Sequence, residues 1–156
     1  MAGAPAIGPD AVLIAGLPHV ADPGGLAGFE ADAVELTAQE RRRARRRVVT
    51  RAGRVFTLAL PPGEALAPGR VLYVGTGWFV VVEAAAEPLL AISPRTPREA
   101  LRVALEIGRL HAALAIDDGR LLVPDEPAVE RLLRRLEVPW VRVHEPFRPL
   151  ASGSPH

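Results

Sequence analysis

The sequence predicts an α+β chain with an all-β N-terminal domain, residues 1–91, a βαββαβ domain, residues 92–147, and a flexible tail, 148–156. Three observations carry this reading. Up to about residue 90, short runs rich in Val, Leu and Phe are separated by Gly and Pro turn signals at regular spacing. That is the pattern of a sandwich or barrel. From Pro94 to Pro97 the pattern breaks, and the apolar residues that follow recur at helical spacing. Two such helical stretches then alternate with short strands.

The elements follow in order. Ala11–Ile14 and Ala33–Leu36 read as strands around a Pro/Gly-rich loop, Leu17–Gly28. Thr37 followed by Glu40 is a capping box, in which each side chain satisfies the other's backbone N–H, so a helical turn starts there. The Arg run 41–47 leads into the strand Val48–Thr50, and Ala52-Gly53 turns the chain into Val55–Leu60. Val71–Val74 and Trp78–Ala84 form a hairpin across Gly75-Thr76-Gly77.

Leu89–Ile92 is the first strand of the second half. Pro97 suits a first helical turn, where its missing N–H has no partner to lose. Leu101, Ala104, Leu105 and Gly108 make a helical face, and the helix is expected to end near His111 and give way to a strand, Ala112–Ile116. Asp117-Asp118-Gly119 is a hairpin turn, Arg120–Val123 the return strand, and Asp125 the expected N-cap of a helix faced by Val129, Leu132, Leu133 and Leu136. Val138–Val143 closes the series, and His144–His156 reads as a Pro-rich tail. The order is the ferredoxin-like one.

Composition narrows the function. The formal net charge is +1, so no global field draws the chain to nucleic acid or an anionic membrane. Cys is absent, which removes disulfides, thiolate metal sites and Cys nucleophiles together. No apolar run approaches the roughly 20 residues that span a bilayer, and no basic-then-apolar leader opens the sequence. The expected location is therefore the cytoplasm. Enzymatic chemistry is poorly supplied: Asp117-Asp118 is more simply a turn than an acid/base pair, and neither a Gly-x-Ser-x-Gly elbow nor a phosphate-binding glycine loop occurs. No enzyme is expected.

Two features carry candidate chemistry. The first is the set Arg41, Arg42, Arg43, Arg45, Arg46 and Arg47, which suits an acidic protein partner, an RNA backbone, or a solvated edge strand protected against aggregation. No aromatic residues interleave it to stack bases, so nucleic acid is not the expected partner. The second is histidine. His19 sits in a Pro/Gly loop, whereas His111 projects from a helix end, with His144 and His156 further on. Neutral imidazole suits Ni²⁺, Cu²⁺ and Zn²⁺. One imidazole binds weakly, but a twofold axis doubles any ligand placed at it.

Several stretches, taken in order, resemble the urease accessory metallochaperone family UreE. Leu36-Thr37-Ala38-Gln39-Glu40-Arg41 resembles its Leu-Thr-x-x-Glu-Arg opening, and Leu58-Ala59-Leu60-Pro61-Pro62-Gly63 its Leu-x-Leu-Pro-x-Gly segment. Gly108-Arg109-Leu110-His111 stands where that family has Gly-Asn-x-His, and Pro146-Phe147-Arg148-Pro149 matches its Pro-Phe-x-Pro ending. The likeness runs over about residues 33 to 150.

The resemblance implies a peptide-binding-like β domain, a ferredoxin-like metal domain, a homodimer, and delivery of Ni²⁺ (with Zn²⁺ as an alternative ion) to apo-urease with a GTPase and other accessory proteins. It implies His111 as the central nickel ligand and His156 as an auxiliary one, with His144 the other candidate to complete the site. Two departures bear on this. Arg109 replaces the family's Asn, placing a cation beside the expected ligand, and no His-rich stretch follows Pro149 in this sequence, so little metal storage is expected. The alternative, of a different class, is an RNA- or ribosome-associated adaptor that uses Arg41–Arg47.

Overall fold

The computed structural model describes residues 11–19, 23–63 and 66–150; His156, an expected ligand, lies outside the described residues. The chain divides into two compact units, Met1–Ala84 and Ala85–His156. The division precedes the boundary at 91/92 read from the sequence, because the strand Ala86–Ile92 pairs with strands of the second unit.

Among the described residues, the first unit is a sandwich of two three-stranded sheets. One sheet runs β1 (Val12–Ile14), β4 (Val55–Ala59), β3 (Arg45–Val49), with β1 parallel and β3 antiparallel to β4. The other runs β2 (Glu30–Leu36), β6 (Trp78–Ala84), β5 (Val71–Val74), with β2 parallel to β6. Both contribute to one core, in which Ile14, Val48, Phe56 and Leu58 meet Val34, Leu72, Val80 and Val82. Burial of such side chains stabilises by about 1.5–3 kcal/mol each. The alternation of β4, with Phe56 and Leu58 buried between half-buried neighbours, is what a strand with one face on a core requires.

The capping box forms as expected: the Thr37 hydroxyl accepts the Glu40 N–H at 3.2 Å, and the Glu40 carboxylate accepts the Thr37 N–H at 2.9 Å. It starts the single turn α1 (Ala38–Arg41). The Arg run divides at this point. Arg41 is buried, with its guanidinium donating to the Leu36 carbonyl at 2.7 Å, so it is a packing residue and cannot serve as the exposed partner contact expected for it. Arg45, Arg46 and Arg47 belong to β3.

The turn after β3 is held from across the unit. Buried Asp32 on β2 accepts the Ala33 N–H at 2.8 Å and the Ala52 N–H at 3.1 Å, and pairs with Arg54 at 2.7 Å. Arg54 in turn lies over the Trp78 ring, 4.0 Å from its centroid. Burial pushes the Asp32 carboxyl up, but hydrogen bonds from Thr50, Arg54, Ala52 and Ala33 outweigh it and hold the group below its ordinary value.

The second unit has the order β7 (Ala86–Ile92), α2 (Pro97–Arg109), β8 (Ala115–Asp117), β9 (Arg120–Pro124), α3 (Pro127–Leu136), β10 (Trp140–Pro146). Its sheet runs β10-β7-β9-β8, antiparallel throughout, which is the ferredoxin-like arrangement. The core joins Leu90, Ile92, Leu121 and Val123 of the sheet to Val103 and Ile107 of α2 and to Val129, Leu132 and Leu133 of α3. Asp118 and Gly119, with φ of 46° and 78°, make the two-residue turn between β8 and β9 that their side chains favour.

Four local expectations need correction. The strand expected at Ala112–Ile116 is only Ala115–Asp117, because Ala112–Leu114 are spent in leaving the helix. The N-cap of α3 is Glu126; Asp125 instead pairs with Arg142 at 3.4 Å. The last strand reaches Pro146, so His144 stands on β10 opposite Pro88, not in a tail. The fourth concerns the face of α2 and defines the site.

Candidate metal centre

Helix α2 has two apolar faces. Val103 and Ile107 pack into the core, and Ala100 is half-buried. Of the face expected from spacing, Leu101, Ala104, Leu105 and Gly108, Ala104 is half-buried and the other three point outwards, with Leu101 74% and Leu105 57% exposed. Both sets satisfy helical periodicity, and only one can lie on the sheet. The helix starts at Thr96, whose hydroxyl accepts the Glu99 N–H at 3.1 Å, and Pro97 follows as expected.

Its C-terminus is a Schellman motif. The Ala112 N–H donates to the Ile107 carbonyl at 3.3 Å and the His111 N–H to the Gly108 carbonyl at 3.0 Å. The residue at the left-handed position of this motif is ordinarily glycine, but here it is His111, with φ of 55°. A side chain there costs about 1 kcal/mol. His111 is exposed, and its ring has no hydrogen bond or ion pair among the described residues. The imidazole thus stands in a left-handed turn, open to solvent.

Gly108 adds to this. A Cβ built on it would meet nothing within 4 Å, so no contact in this unit requires glycine. Glycine in a helix costs up to about 1 kcal/mol relative to Ala. Its use on the exposed leucine face, one turn before His111, leaves room for a close neighbour. The Arg109 cation is compensated: its guanidinium lies 2.9 Å from the Glu106 carboxylate one turn back. Charge beside the imidazole is thereby reduced.

His111 and His144 both lie exposed in the second unit, and His156 lies outside the described residues. Among the described residues no three His, Cys, Asp or Glu side chains form a group able to hold a metal ion. The exposed stripe of Leu101, Leu105 and Gly108 was hidden in the sequence by looking like the core face. Its outward orientation follows only from the burial of Val103 and Ile107.

Replacing His111 by Gly should stabilise the second unit by about 1 kcal/mol, by removing the left-handed strain. His111→Ala, which keeps the Cβ and the strain, should leave stability within about 0.5 kcal/mol of wild type. Urea unfolding measures both, and equal midpoints for the two variants would remove the strain argument.

Residues 14–85 match the model of the UreE urease accessory protein, N-terminal domain, and residues 87–156 that of the C-terminal domain. A urease accessory protein UreE of Deinococcus radiodurans is 43% identical over 114 residues, 73% of this chain and 74% of the relative. One from Ectopseudomonas mendocina is 40% identical over 117 residues, 74% and 70% of the two chains. One from a Synechococcus species, strain JA-3-3Ab, is 37% identical over 120 residues, 77% and 80%. With both of its units matched in order and relatives at this identity along most of its length, the chain belongs to the UreE urease accessory protein family.

Proposed function

We propose that the protein is a homodimeric, non-enzymatic nickel carrier that delivers Ni²⁺ to apo-urease during urease maturation, working with the other accessory proteins and their GTPase. The observation that carries the reading is the exposed leucine stripe of α2 leading to a strained, unpartnered His111. A second copy laid on Leu101, Leu105 and Gly108 about a twofold axis brings the two His111 rings into one neighbourhood. Two neutral imidazoles are good ligands for Ni²⁺ and also accept Zn²⁺.

Each protomer then needs to supply only one firm ligand. His144, His156 or water would fill the remaining positions, and the incomplete set suits an ion that is to be handed on. The cation of Arg109, already paired with Glu106, does not stand against this. No described helix is long and apolar enough to cross a membrane, and the reading places the carrier in the cytoplasm with the urease it serves.

Activation of apo-urease at limiting Ni²⁺, with the accessory proteins present, tests the role. Wild type should raise the yield of active urease, and His111→Ala should reduce it to the level reached without the chain. Full activation by His111→Ala would show that delivery does not pass through this residue.

A further inference from the structure

We propose that the free edge of β3 is a docking strand for an extended acidic segment of a partner protein, one that carries carboxylates at alternate positions. The backbone sets up this edge. The Leu60 N–H donates to the Ala44 carbonyl and the Thr50 N–H to the Arg54 carbonyl, both at 2.9 Å. With the register Arg45↔Ala59, Arg47↔Thr57 and Val49↔Val55, these bonds fix the parity of the ladder. Ala44, Arg46, Val48 and Thr50 face β4, and the N–H and C=O groups of Arg45, Arg47 and Val49 face away from it. The sheet has no strand beyond β3 among the described residues, and the free edge ends at Val49, since the next outward N–H, that of Arg51, donates to the Ala33 carbonyl of β2 at 2.9 Å.

The side chains match the backbone. Arg45, Arg47 and Val49 are exposed on one face, whereas Val48 is buried and Arg46 half-buried on the other. Arg46, Arg51 and Arg54 have carboxylate partners. Arg42, Arg43, Arg45 and Arg47 have none among the described residues. Four cations without a carboxylate partner among the described residues therefore lie along and just before a strand edge with unpaired backbone groups. Such an edge repels a second copy of itself by like charge. It accepts a strand whose residues opposite Arg47 and Arg45 are acidic and whose residue opposite Val49 is apolar. An antiparallel segment would read Val-x-Glu-x-Glu.

RNA fits less well. Its single-strand readers need exposed aromatic faces for stacking. Here Phe56 is buried, its ring packs 5.1 Å from that of Tyr73, and the Trp78 face is covered by Arg54.

The test uses the full chain without metal, so its outcome is independent of the nickel reading. Fluorescence anisotropy follows a labelled Val-Thr-Glu-Thr-Glu peptide flanked by Gly and Ser. Two controls carry N-methyl groups, one on the Glu nitrogens, which would face β3, and one on the Thr nitrogens, which would face solvent. A third control, Val-Thr-Thr-Glu-Glu, has the same composition in the wrong alternation.

The alternating peptide should bind, Thr methylation should leave its affinity unchanged, and Glu methylation or wrong alternation should weaken it about tenfold or more. The Arg45→Ser/Arg47→Ser double variant should lose about tenfold, and the loss should shrink at high salt. Equal binding of all the peptides would mean charge attraction without strand pairing and would overturn the proposal. So would no binding at all, or tighter binding of a mixed-sequence RNA that displaces the peptide.

Discussion

Leu105→Glu should convert the proposed dimer to a monomer and, with it, weaken Ni²⁺ binding to the level of a single imidazole. Leu105 is 57% exposed within its own unit and contributes nothing to the core cluster around Val103 and Ile107. Glu is a good helix former, so α2 should persist. At a twofold contact the change places two like charges across an apolar surface, each without a partner. Truncating or disrupting a central contact residue costs about 2–4 kcal/mol, which is roughly 30- to 1,000-fold in the dimer constant. Sedimentation velocity reads the mass, and a Ni²⁺ titration of the same sample reads the coupled loss. A dimer that survives Leu105→Glu would place the contact elsewhere and separate the leucine stripe from His111.

Asp32→Ala should cost about 3 kcal/mol of stability in the first unit, within the range seen when one member of a buried ion pair is removed. The carboxylate is the shared acceptor of two backbone N–H groups and the Arg54 guanidinium, so its removal strands all three. Asp32→Asn should cost less, because its carbonyl can still accept. The pH dependence has a definite sign. The folded carboxyl titrates below its ordinary value of 3.8, so its contribution is complete above that value. It is lost as pH falls through the lower folded value. Urea midpoints of wild type and Asp32→Ala should therefore converge in acid and stand apart at neutral pH. A constant gap across that range would assign the loss to packing instead of charge.

These two residues also mark where the sequence was legible and where it was not. Local signals carried well. The Thr37/Glu40 capping box, the Asp118-Gly119 turn, and the strands Val71–Val74 and Trp78–Ala84 each rest on neighbours a few positions apart, and each stands where expected. The βαββαβ order emerged because periodicity changes cleanly after Ile92. The pairing of Asp32 with Arg54 did not, since it joins residues 22 apart through the stacking of two sheets.

The face of α2 failed for a different reason. Leucines at 101 and 105 stand out in the hydrophobic pattern, yet Val103 and Ile107 are the α2 residues that join the core with the sheet. Pro88 hid the start of β7: a proline reads as a break, but the strand runs through it opposite His144, and its carbonyl still accepts the Asp125 N–H at 3.3 Å. His111 stood out in the sequence as a candidate ligand through the resemblance of Gly108–His111 to the family's Gly-Asn-x-His. Its left-handed backbone did not, because glycine ordinarily marks that position.

The most direct test of the account is a calorimetric Ni²⁺ titration of wild type beside His111→Ala, at protein concentrations where both are shown to be dimers. Wild type should bind one ion tightly for every two chains, and His111→Ala should lose that ion while keeping its dimer mass and unfolding midpoint. Tight binding of one ion per chain in wild type, or an unchanged isotherm in His111→Ala, would contradict a nickel site shared between two copies of His111.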